Sequence, residues 1–128
     1  MPRLLSVPYS RQQADGYCLP ACVQMALAYC GVHQSQNDLA RILGMVNDFG
    51  APASNIVRLR TQGMAVVHAI ESTLADVQDW LDQGVPVIVY VQTRHLSYWQ
   101  GHQTQHAVVV VGIDKQSIHL LDPAQSET

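Results

Sequence analysis

Between positions 18 and 30 the apolar residues recur at helical spacing. Leu19, Val23, Ala26 and Cys30 follow one stripe, and Ala21, Met25 and Tyr29 follow another. With both stripes apolar, the spacing predicts a helix buried on most sides. Pro20 falls in its first turn, where a missing N–H costs nothing, and Gly31 stands where a left-handed stop belongs. A second helix is predicted over 36–43, with Ser35 as cap, Asp38 at the third position and Gly44 as stop. A shorter helix over 54–62 ends at Gly63, and residues 64–70 read as a strand. Thr73 and Asp76 have the spacing of a capping box, which predicts a helix to Gln83 with Leu74, Val77 and Leu81 on one face.

From there the period changes. Residues 86–93 are mostly β-branched and predict a strand. A polar segment bearing Tyr98 and Trp99 runs over 94–105, and the two aromatics suit either a groove wall or a loop anchor. Residues 106–113 predict a second strand, 114–116 a tight turn with Asp114 in it, and 117–122 the returning hairpin partner. Helices followed by strands, with no internal repeat or low-complexity linker, indicate one α+β domain over 1–128.

Composition narrows the function. The chain is 48% hydrophobic and 13% charged, enough apolar material for a packed core. Its formal net charge is -3 and it has no Lys/Arg run, which argues against nucleic acid or an anionic membrane as partner. No apolar run approaches the ~18 residues of a membrane span. Residues 1–8 carry one basic residue and no apolar stretch, so no signal peptide is expected. Three cysteines without an export signal imply reduced thiols and a cytoplasmic location.

The candidate chemistry lies at the two ends of the chain. Cys18 stands at the predicted start of the buried helix, where backbone N–H groups and the helix dipole favour a thiolate. Gln12 lies six positions earlier, and Asp15-Gly16 can fold the chain back. The Gln12 amide and the Cys18 N–H would then form a two-donor oxyanion hole. Gln13 is the lesser alternative. His106 opens one predicted strand and Asp122 ends the next, so a hairpin brings them close. His106 is expected to donate through Nδ1 to Asp122 and to turn Nε2 towards Cys18.

In that order, Gln12, Cys18, His106 and Asp122 resemble the papain-like cysteine peptidases. The closest likeness is to the bacteriocin-processing, double-glycine leader peptidase family and its stand-alone relatives. The Gln12–Cys18 spacing, Cys18-x-x-Ala21-Cys22-x-x-Met25, Gly31, the Val-rich strand after His106 and Asp122-Pro123 carry the likeness. It implies a helical half holding the Cys helix against a C-terminal antiparallel sheet. It also implies Cys18 as nucleophile, His106 as base and acid, Asp122 as orienting residue and Gln12 as oxyanion donor, with no cofactor or metal. The implied substrate is a leader peptide or small-protein tail with small residues before the cut. Two departures stand out. Leu19 occupies a position that is often Gly in the family, and relatives usually continue with a further helix and strand, which makes a longer parent protein one expectation.

Other readings of the same residues are blander. Cys22 and Cys30 lie further along the Cys helix and are expected in the core. His95, His102 and His106 suggest zinc, and His102 and His106 are four apart, but they fall in a predicted loop and strand and not on one helix face. His33, His68 and His119 read as structural or surface residues. A thioester at Cys18 would also serve an acyl or peptidyl transferase. A silent peptide-binding module, working with a transporter or partner domain, would need none of the four residues.

Overall fold

A computed structural model describes residues 4–45, 52–69, 72–93 and 105–125. The elements run α1 (Cys18–Tyr29), α2 (Gln36–Ile42), a 3-10 helix (Ala53–Gln62), α3 (Leu74–Asp82), β1 (Val87–Gln92), β2 (Gln105–Ile113) and β3 (Ile118–Leu121). The α+β class read from the period change is the observed one. The segment 94–104, with Tyr98, Trp99, His95 and His102, lies outside the described residues. No helix among the described residues is long and apolar enough to cross a membrane.

The sheet is three-stranded and antiparallel in the order β1-β2-β3. β2 is therefore central, and residues 106–112 are all buried. That explains its unbroken apolar run, since a strand covered on both faces has no polar side to alternate with. α1 packs on β2 and α2 through Leu19, Cys22, Val23 and Met25, joined in the core by Leu39, Leu43, Val77, Leu81 and Val109.

Local chemistry sets the boundaries. Ser35 caps α2 by accepting from the Asp38 N–H at 3.1 Å. Thr73 and Asp76 close a reciprocal capping box on α3. After α1 the Gly31 and Val32 N–H groups donate to Ala28 O and Leu27 O, with Gly31 at φ 84°. That left-handed turn completes a Schellman-type stop.

One expectation fails, the strand over 64–70; the helix expected over 54–62 is present, as a 3-10 helix over Ala53–Gln62. Its core contacts come from Ile56 and Leu59, and three-residue spacing stacks those two side chains at three residues per turn. Residues 64–69 form no strand. Met64 and Val66 do alternate inwards, but the backbone is tied elsewhere: the Arg60 guanidinium donates to Val66 O at 2.7 and 3.1 Å.

A register shift between Val110 and Gly112 sets Val111 apart in the β2–β3 ladder. Its carbonyl accepts from the Leu5 N–H at 2.9 Å. This bond holds an N-terminal arm against the sheet, and the arm leads on to Gln12.

Candidate active site

Cys18 is the first residue of α1 and is half-buried. The turn before it is closed by the Tyr17 N–H donating to Ala14 O at 3.2 Å, with Gly16 at φ 81°. Glycine takes that left-handed conformation without a Cβ clash. Tyr17, the N-cap residue, makes no side-chain cap hydrogen bond.

His106 is the second residue of β2, and Asp122 follows directly after β3. The ladder pairs Val109 with Leu121, and one further step sets Asp122 opposite Val108. His106 projects from the same face two residues along, a diagonal neighbour within reach of a long side chain. His106 Nε2 and Asp122 Oδ1 are 2.6 Å apart, and both residues are buried. Asp122 Oδ1 also accepts from the Ala124 N–H at 2.9 Å.

This overturns one expectation: Asp122 takes Nε2, not Nδ1. The reason is where the partners sit. Cys18 lies against the start of β2, hydrogen-bonded to both His106 and the Ala107 backbone. The imidazole thus meets the thiol as well as the carboxylate beyond β3, which takes Nε2.

The electrostatics follow. Burial raises the Cys18 thiol, but hydrogen bonds from His106, the Ala107 backbone and the Leu19 backbone, with the His106 charge, outweigh it and lower its pKa. Burial lowers His106, but bonds to Asp122 and Cys18 outweigh it and push the imidazole up to about 9. The two shifts favour one state, a thiolate beside an imidazolium held by a carboxylate.

Gln12 joins this group through its backbone, with the N–H donating to Pro123 O at 2.8 Å, next to Asp122. Its Nε2 donates to Ala14 O at 3.2 Å, which uses one of two amide protons. Its Oε1 is buried with no hydrogen-bond partner among the described residues. Gln13 is turned outwards: its N–H donates to Gln36 Oε1 at 2.9 Å and its Nε2 to Asn37 Oδ1 at 2.6 Å.

Residues 4–128 match the model of the Peptidase C39-like family. The chain belongs to that family. A crystal structure assigned as a C39-like peptidase from Bacillus anthracis superposes with a TM-score of 0.78 at 16% identity, covering 99% of this chain and 85% of that one. At that identity it shows a shared C39-like fold. An uncharacterized protein of Methanothermobacter marburgensis is 25% identical over 114 residues, 88% of this chain and 70% of that one.

Around the C39-like site the other cysteines divide. Cys22 is fully buried, as expected, and burial with the nearby Cys18 and Asp122 charges raises its thiol well above the ordinary range. Cys30 is exposed, contrary to the core placement read from its stripe. α1 ends at Tyr29, and Cys30 belongs to the turn that leaves the helix. Among the described residues no group of three His, Cys, Asp or Glu is placed to hold a metal ion.

Three supporting residues escaped the sequence reading. Tyr9 donates its hydroxyl to Asp122 O at 2.9 Å and also meets Gln125 O. Tyr90 on β1 lies near Cys18 and Cys22, where burial and both sulfurs raise its phenol and keep it neutral. Gln36 is buried and ties α2 to residues 11 and 13. A polar residue opening a helix gives no pattern that separates such a tie from a solvated position. Only the fold reveals it.

Proposed function

We propose that this chain is a cysteine peptidase in which Cys18 is the nucleophile, His106 the acid and base, and Asp122 the residue that holds the imidazole. The observation that carries the reading is the buried Asp122–His106 bond, with Cys18 hydrogen-bonded to the same imidazole. The Cys18 thiolate attacks a peptide carbonyl, and the carbonyl oxygen becomes an oxyanion facing the Cys18 N–H and the Gln12 amide. The imidazolium gives its Nδ1 proton to the leaving amine as the C–N bond breaks, leaving a Cys18 thioester. Neutral His106 then takes a proton from water, whose oxygen forms the acid and releases the thiol. Burial of Asp122 keeps the ring fixed through both transfers.

Exposure to a degenerate peptide library, read by mass spectrometry, tests the reading. New peptide termini are expected with the native protein and none with Cys18→Ala. Identical products from both would end it. Added amines separate water from another acyl acceptor, because transfer would leave an amide adduct on the released fragment.

A further inference from the structure

We infer that Gln36 is a positioning residue for the oxyanion side of this site, acting through Gln12; the inference rests on the peptidase reading above. Gln36 opens α2 and is 7% exposed. Its Oε1 accepts from the Gln13 N–H at 2.9 Å, and its Nε2 donates to Arg11 O at 2.8 Å and to Gln24 Oε1 at 3.0 Å. The amide thus imitates one rung of a β-ladder, with its two backbone partners flanking Gln12. Its orientation is fixed by the network, since a flipped amide would set oxygen against carbonyl and nitrogen against N–H.

The third bond gives the rung its purpose. Gln24 lies on α1, the helix that Cys18 opens, and its own Nε2 donates to Gln34 O at 3.0 Å. Gln36 therefore ties the backbone on either side of Gln12 to the helix that carries the thiol. On the opposite side the Gln12 N–H is held by Pro123 O at 2.8 Å, beside Asp122. Residue 12 is fixed between the two halves of the site, and the Gln12 side chain takes its place from both anchors. An oxyanion donor contributes only when held at hydrogen-bond distance from the forming charge. Gln36 touches no reacting atom, and its effect belongs on acyl transfer and not on thiol ionisation.

Two reactions of the full chain separate these effects. Iodoacetamide alkylation of Cys18 needs a thiolate but no oxyanion hole; acylation by p-nitrophenyl acetate needs both. Gln36→Leu is expected to keep alkylation within about twofold and to slow acylation about tenfold or more. In a Gln12→Ala background, Gln36→Leu should add little further loss, because the residue it positions is gone. Gln36→Glu, which keeps the shape and loses the donors, serves the same cycle if the leucine variant does not fold. In the native protein the Gln13 amide hydrogen should exchange slowly; rapid exchange overturns the proposal without any variant. Unchanged acylation in Gln36→Leu, or an equal further loss in the Gln12→Ala background, overturns it while leaving the peptidase reading intact. A native protein that alkylates no faster at Cys18 than at Cys30 and does not acylate overturns that reading, and this inference with it.

Discussion

Ionising Cys18 and protonating His106 are coupled events, because each charge stabilises the other across one hydrogen bond. The lowered thiol sets the rising limb of activity and the raised imidazole the falling one. Cleavage of an amide should therefore climb through a midpoint below the ~8.5 of a free thiol and fall again as pH passes about 9, where the proton for the leaving amine is lost. Alkylation needs no such proton and should show the rising limb without that loss. Asp122→Asn keeps an acceptor for Nε2 but removes the charge that lifts the ring. Its falling limb should move down by about a pH unit or more, as pH–rate profiles of the two proteins would show. A profile that Asp122→Asn leaves unmoved contradicts the role given to the carboxylate. The meeting of His106 with Asp122 was legible in the sequence because a polar residue bracketing an apolar strand is conspicuous. Which ring nitrogen faces which partner was not, since it depends on a diagonal offset in the β2–β3 register.

At the scale of elements, the helices and strands with chemical punctuation were legible. Ser35, the Thr73–Asp76 pair and Gly31 mark ends through bonds made within a few residues. The conformation of residues 64–69 was not, because it depends on distant packing and on the Arg60–Val66 bonds. Met25 is wholly buried on α1, and Met25→Ala should cost about 2–5 kcal/mol, read from denaturant unfolding. Gly31→Ala differs in kind. A Cβ there meets nothing within 4 Å, so the cost comes from the left-handed φ of 84° and should be about 1–2 kcal/mol. Its Cys18 alkylation rate should match the native one, since the strain lies at the far end of the helix. An equal loss of alkylation and stability in Gly31→Ala would show that the helix start is less independent than this.

Across the whole molecule, the site is assembled by an N-terminal arm that closes over the end of the sheet. Leu5 binds the carbonyl at the β2 irregularity, Tyr9 reaches Asp122 O, and Gln12 binds Pro123 O. Nothing in the arm's own sequence announces these bonds, which join residues more than a hundred positions apart. Tyr9→Phe removes the hydroxyl that holds the Asp122 turn, and should lower stability by about 0.5–1.5 kcal/mol in thermal or denaturant melts. The arm, α1 and the hairpin together place Cys18 in a hydrogen-bonded pair with His106. Iodoacetamide titration from about pH 4 to 9, mapped by mass spectrometry in the native protein and in His106→Ala, tests it most directly. Selective labelling of half-buried Cys18 ahead of exposed Cys30 at acidic pH, lost in His106→Ala, is the predicted result. Labelling of Cys18 that trails Cys30 and ignores the histidine would contradict it.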